Sequence, residues 1–298
     1  MFQFIINIAK KIKPLGFAGL SVYDVTIFFW KGLLEGAITT RASSLAFNFF
    51  LAFFPSIIVF FTLIPYIPIA GLQETLIELL SVVLPPSTNE ITFNTLDDII
   101  NNPRGGLLSI GFILALYFSA NGMSSLIEAF NSSYHINEYR SLLRQKAVSI
   151  TLTFFLALLL IIAIGLIIFG KVAVNYLTDF EIISKFSADL ILYGKWFVML
   201  AMLFSGISIL FHFGPATTRK WKFFTAGSIL ATLGIILTSI GFNYYINHFA
   251  QYNKVYGSIG TLMIILIWMY FNSIILLLGF ELNASIISAK EQQQSKLD

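Results

Sequence analysis

The chain has 298 residues, 57% of them hydrophobic and 11% charged, with a formal net charge of +3. Its 15 acidic and 18 basic side chains cannot coat a water-facing surface, because a soluble domain carries about a quarter charged residues. A disordered chain, a disulfide-stapled secreted domain and a nucleic-acid-binding module each need charge, cysteine or a basic patch that is missing, which leaves a protein whose main solvent is lipid. The absence of cysteine also removes Cys-ligated zinc and iron–sulfur clusters.

Residues 1–42 are expected to form a cytoplasmic tail followed by an amphipathic helix. Lys10, Lys11 and Lys13 follow a short apolar run, Pro14 and Gly16 interrupt it, and no small-residue cleavage site follows, so the start reads as a retained tail. Residues 22–38 mix an apolar stripe with Asp24, Lys31 and Glu35, which suits a helix lying on the membrane or a plain amphipathic connector. A membrane-crossing helix needs about 20 mainly apolar residues. Six segments meet that length: 43–66, 106–127, 147–169, 190–213, 223–247 and 258–280. The fold class is therefore all-α and polytopic, with a transmembrane domain over 43–288 and a polar C-terminal tail over 289–298. The outer loop 67–105 is the largest piece outside the bilayer; 71–84 has helical apolar spacing, Pro85 and Pro86 end it, and 87–104 is polar. No sequence repeat relates the first three spans to the last three.

Charge sets the expected orientation. With both termini inside, thirteen lysines and arginines lie in inner segments, among them Arg41, Arg140, Arg144 and Lys146. Four lie in outer loops (Arg104, Lys171, Lys185 and Lys254), while Lys195 falls inside the fourth span. Glu74, Glu78, Glu90, Asp97, Asp98, Asp179, Glu181 and Asp189 fall outside.

Polar groups in hydrocarbon are costly and therefore informative. At about 100° per residue, Arg41, Ser44, Asn48, Ala52 and Pro55 share one face of the first span, and Asn121, Ser124, Ser125 and Glu128 share one face of the second. His212 closes the fourth span and Glu281 the sixth at the same inner level. These groups are expected to form an inward-facing polar layer or substrate path, with Arg41 paired to Glu128 or Glu281. The alternative is that each sits at the headgroup boundary and snorkels on its own. Tyr270 falls on the face of Glu281, and its hydroxyl is expected to find a partner in the bundle. Lys195 either snorkels to headgroups or meets an outer acid.

Gly227, Gly234 and Gly241 recur every seven residues in the fifth span, with Ala231 and Thr238 interleaved, a row that lets helices approach closely. Whether the row serves an internal contact or a dimer seam is not readable, so oligomeric state stays open. Pro55, Pro65 and Pro68 are expected to bend or end the first span. Gly257 and Gly260 permit a tight entry to the sixth, with packing favoured over ligand binding by Tyr256 and Ser258.

The stretch from Ala42 to Phe47 through Phe54-Pro55 resembles the first span of the YihY/BrkB family of bacterial inner-membrane proteins. Phe211 to Pro215, Lys220-Trp221 and Gly227 resemble its inner loop and fifth span; Tyr252, Tyr256-Gly257-Ser258, Gly260, Trp268, Tyr270 and Gly279 to Ala284 resemble its sixth. The resemblance covers about residues 20–288. It implies six transmembrane helices and a plasma-membrane location. It also brings an old label, ribonuclease BN, and a looser association with serum resistance and envelope-lipid transport.

The residues argue against the nuclease label. Metal-dependent hydrolysis needs clustered His and carboxylate ligands, whereas His135, His212 and His248 are expected at different membrane faces. No Gly-x-Ser-x-Gly elbow, phosphate-cradling loop or HExxH occurs. The chain is read as a non-enzyme without metal or cofactor, with membrane lipids and not nucleic acid as partners. Two functions remain: a transporter or flippase-like protein for a lipid or other amphiphile, and a non-catalytic membrane scaffold of the cell envelope. A cavity lined by Arg41, Asn48 and Glu128 would favour the first.

Overall fold

A computed structural model describes Gln3 and residues 10–14, 16–63, 105–133, 140–179, 185–216, 223–249 and 258–295. Much of the outer loop 67–105, the turn at Tyr256 and Gly257, and Pro65 and Pro68 lie outside these residues. Within them the chain is helical: α1 (Val22–Glu35), α2 (Ile38–Leu63), α3 (Gly105–Asn131), α4 (Leu142–Asp179), α5 (Lys185–Phe213), α6 (Ala226–Phe249) and α7 (Ser258–Gln294). No strand occurs among the described residues. Helices α2 to α7 supply six candidate membrane spans, one in each of the six apolar segments of the sequence. Helix is the form that bonds every backbone N–H and C=O internally where no water can do so.

The boundaries differ from the expected ones in ways the local chemistry explains. Pro55 does not end the first span: it lies buried inside α2, which continues to Leu63. Its missing N–H costs one helical bond, while Ser56 Oγ donates to the Ala52 carbonyl at 2.8 Å in the same turn. Helix α7 runs through Gln294, so most of the expected polar tail is its last two turns. These residues stay helical because the C-terminal end of α7 has a partner. Leu20 and Val25 pack with Ile286 and Ala289, flanked by Phe17, Phe28, Ala226 and Leu282.

That contact also shows what the helix expected over residues 22–38 packs against. Ser21 caps α1, its Oγ accepting from the Asp24 N–H at 3.2 Å and donating to the Asp24 carboxylate at 2.6 Å. Val25 and Gly32 are buried. Ile27, Trp30 and Leu34 remain exposed, so α1 has a docked apolar face and a second one that is open.

The chain divides into two compact units, Asn48–Gly122 and Met1–Phe47 with Met123–Asp298. In the smaller unit, parts of α2 and α3 meet where side chains are minimal: a Cβ added at Gly111 would come within 3.1 Å of Ile58, and one at Gly122 within 3.1 Å of Phe49. In the larger unit α6 and α7 touch through backbone. A Cβ at Gly227 would collide with the Gly279 carbonyl and with Asn283, and one at Gly234 would lie 2.5 Å from Ile275. Nothing lies within 4 Å of Gly241, so the heptad glycine row packs at two of its three positions. Gly260, in the first turn of α7, is buried.

Candidate functional site

The deepest ionic contact among the described residues joins α2 to α7 in the larger unit. Arg41 Nη1 donates to Glu281 Oε1 at 2.8 Å and to the Gly36 carbonyl at 2.7 Å. Ser133, just beyond α3, donates its hydroxyl to Glu281 Oε2 at 2.8 Å. Glu281 is fully buried and the Arg41 side chain is 9% exposed. The local backbone prepares this contact: Ala37, between α1 and α2, takes the left-handed φ of 44°, a conformation unusual for a residue with a Cβ. Arg41 then holds the carbonyl of the adjoining peptide. Arg41 Nε and Nη2 are buried and without hydrogen-bond partners among the described residues, so three of the guanidinium's five N–H donors are unused.

A buried aromatic cluster joins α3, α5 and α7. Phe130 of α3, Phe211 of α5 and Phe280 of α7 are fully buried. Phe130 and Phe280 stack with centroids 4.3 Å apart, and Phe211 meets them edge-on at 5.6 and 5.9 Å. Three helices converge there, and Phe280 immediately precedes Glu281. The burial of Arg41 and Glu281 themselves strengthens the ion pair and raises the cost of breaking it.

Around the pair, polar side chains close helix ends. Thr225 Oγ1 accepts from the Ser228 N–H at 3.1 Å and from Asn283 Nδ2 at 2.8 Å, while Asn283 Oδ1 accepts from the Gly227 N–H at 2.8 Å. Of the orphan donors with which α6 begins, α7 thereby satisfies the Gly227 N–H, and Thr225, just before α6, satisfies that of Ser228. At the far end of α5, Asn131 Oδ1 accepts from the Ala216 N–H at 2.7 Å. Arg140 gathers the carbonyls of Phe213, Gly214 and Pro215 at 2.6–3.2 Å. A cation on the last carbonyls of a helix is favourable by charge and by hydrogen bonding. Burial first, and the like charge of Arg144 second, lower the Arg140 guanidinium below its ordinary proton affinity.

Of the residues expected in a polar layer, the structure joins Arg41 to Glu281 and disperses most of the others. Glu128 is exposed and accepts from Gln145 Nε2 at 3.3 Å. His212 is exposed, with its ring edge-on to Phe213 at 4.6 Å, so it does not face inward. Ser44 is exposed; Asn48, Asn121 and Ser125 are half-buried, Asn48 and Asn121 in the smaller unit. Ser124 turns instead to α4, donating to Ser149 Oγ at 3.0 Å. Tyr270 is half-buried beside Phe271, and eleven residues of helix, about 16 Å along the axis, separate it from Glu281. Lys195 Nζ lies 5.8 Å from the centre of the Trp196 ring. A helical wheel assigns residues to a face but not what that face meets, and each helix is rotated separately against its neighbours.

Ser133, Asn131, Thr225 and Asn283 were not anticipated. Asn283 carried a signal, since a carboxamide two residues after Glu281 falls on another face of α7 and needs a second partner. The described residues contain no group of three His, Cys, Asp or Glu side chains able to hold a metal ion.

Two described cavities lie elsewhere, and neither is lined by Arg41, Asn48 or Glu128. The larger, about 670 Å³, lies among α4, α5, α6 and α7, walled by Leu156, Leu160, Trp196, Met202, Ile236 and Leu276 among other apolar residues.

Comparison with known proteins follows the same lines. The family described as Virulence factor BrkB matches residues 29–298. A ribonuclease-like protein of Bacillus subtilis, YfkH, is 30% identical over 252 residues, covering 85% of this chain and 91% of its own length. A UPF0761 membrane protein of Tolumonas auensis is 23% identical, with 87% of this chain and 84% of its own length aligned. Another, from Haemophilus influenzae, is 21% identical, with 92% and 98% aligned. No solved structure matches.

Proposed function

The chain belongs to the virulence factor BrkB family, a multi-pass protein of the bacterial inner membrane, and we propose that it handles a lipid or other amphiphile as a transporter or flippase-like protein. The observation that carries this reading is the cavity of about 670 Å³ walled by α4 to α7. It falls in the size range of ligand sites, about 300–1,000 Å³. Its walls are leucine, isoleucine, methionine and tryptophan, which offer water no partners and suit a hydrocarbon chain. The excess of basic residues in the expected inner segments supports cytoplasmic termini.

The reading is non-catalytic. The one fully buried carboxylate among the described residues, Glu281, is committed to Arg41 and Ser133, and hydrolysis by a metal would need a ligand cluster. The ribonuclease-like name belongs to the Bacillus subtilis relative.

Reconstitution into vesicles with labelled lipid tests the proposal. Wild type should move lipid between leaflets faster than protein-free vesicles, and Ala163→Trp, at a small residue of α4 in the cavity wall, should abolish the difference by filling the cavity. Equal rates with and without protein would overturn it. The scaffold reading draws on a different feature, the close α6–α7 seam at Gly227 and Gly279, and would then stand alone.

A further inference from the structure

A second, smaller cavity lies between α4 and α5 at the end where Arg140 holds the last carbonyls of α5. It is a groove of about 360 Å³. One end is formed by Arg140 and Arg144, and the rest by Ala147, Val148, Leu152 and Phe155 of α4 with Ile209 and Phe213 of α5. Thr151, also in the wall, donates its hydroxyl to the Ala147 carbonyl at 2.9 Å, so its polar group is satisfied within its own helix. Phe155 is eleven residues beyond Arg144, about 16 Å along the helix. Phe155 and Phe213 are 53% and 54% exposed, so the groove opens sideways into the hydrocarbon that solvates the spans.

The charged end has no counterion among the described residues. Arg140 is oriented by three carbonyls, which fix its position without neutralising its charge. Arg144 is exposed and makes no ion pair among the described residues. Both arginines stand at the start of α4, which has no acidic residue in its first turn. The unbonded N–H groups of a helix start add positive potential there. Two guanidiniums at a helix start with no acid in its first turn ask for an anion, and a phosphate matches the guanidinium fork. The apolar wall beyond them asks for hydrocarbon attached to that anion.

We propose that this groove binds an anionic phospholipid, with the phosphate held at Arg140 and Arg144 and an acyl chain laid along Val148, Leu152 and Phe155. The site is separate from the larger cavity and does not require that lipid cross the membrane. A free phosphate would use the arginines and leave the apolar wall empty.

Native mass spectrometry of the full chain, released from detergent after incubation with phosphatidylglycerol, phosphatidylcholine or inorganic phosphate, tests it. Wild type should retain phosphatidylglycerol in preference to phosphatidylcholine. Arg144→Gln, at an exposed position, should lower that retention about fivefold, the effect of one basic residue on an anionic lipid. Val148→Trp should lower it by filling the groove while both charges remain, and a thermal melt of each variant establishes that it is folded. Equal retention of the two lipids, or wild-type retention by either folded variant, overturns the proposal. Competition by inorganic phosphate as strong as that by soluble phosphatidylglycerol would reassign the arginines to a free anion and overturn it too. Binding is read here without movement, so this failure is distinguishable from failure of the transport reading.

Discussion

Arg41 and Glu281, 240 residues apart in the chain, meet at 2.8 Å in a site from which both side chains are almost wholly withdrawn from solvent. Removing one partner leaves the other as a buried, unanswered charge, which costs about 3–5 kcal/mol. Arg41→Ala should therefore destabilise strongly, because Ser133 alone remains on the Glu281 carboxylate. Glu281→Gln should cost less, since a carboxamide still accepts from Ser133. The double change Arg41→Met with Glu281→Leu should recover much of the loss, because two apolar groups leave no charge to desolvate. Thermal unfolding of the purified protein in one detergent would rank the variants; a double change worse than either single one would contradict this account.

The glycines of α6 separate by what they touch. Gly227→Ala drives a methyl group into the Gly279 backbone and Asn283, so the α6–α7 seam must part and the melting temperature should fall. Gly241→Ala meets nothing within 4 Å and gains the ordinary advantage of alanine over glycine in a helix, about 0.5–1 kcal/mol. Opposite signs from chemically identical changes in one helix are expected. Equal effects would mean that the seam does not run where the structure places it.

Asn283 is expected to behave as part of the α6 cap. Asn283→Ala leaves the Gly227 N–H without its acceptor and removes one of the two N–H donors to Thr225 Oγ1, for a loss of about 1 kcal/mol. Thr225→Ala removes another part of the same network, so the two losses should not add. Additive losses, read from the melting temperatures of the two single variants and the double, would show that the residues act separately.

The contrast between these residues explains what sequence reading reaches. Spans were legible because apolar runs of membrane length have one low-energy form in lipid. Arg41 and Glu281 were legible because ionisable groups beside apolar segments demand a partner. Glu128 and Glu281 look alike by depth, yet only Glu281 lies on the face of α7 that meets Arg41; Glu128 is exposed on α3. Rotation of a helix about its axis decides between them, and no single helix encodes it. Ser133 and Thr225 escaped notice for a different reason. A neutral hydroxyl at a helix end costs little in isolation, and its role arises only when another helix brings its partner.

The sidedness inferred from charge is open to a direct check, because the chain contains no cysteine and a single introduced thiol reports its own location. Six candidate spans, an even number, would bring both chain ends to one side. The basic excess in the segments with those ends argues that this side is the cytoplasm. Lys10→Cys and Ser295→Cys, each exposed, should react with a membrane-impermeant maleimide only after the inner membrane is permeabilised. A cysteine in the outer loop, such as Asn94→Cys, should react without permeabilisation. Labelling of both ends in intact spheroplasts would invert the orientation. Labelling of one end alone would contradict the six-span count, because only an odd number of crossings separates the ends.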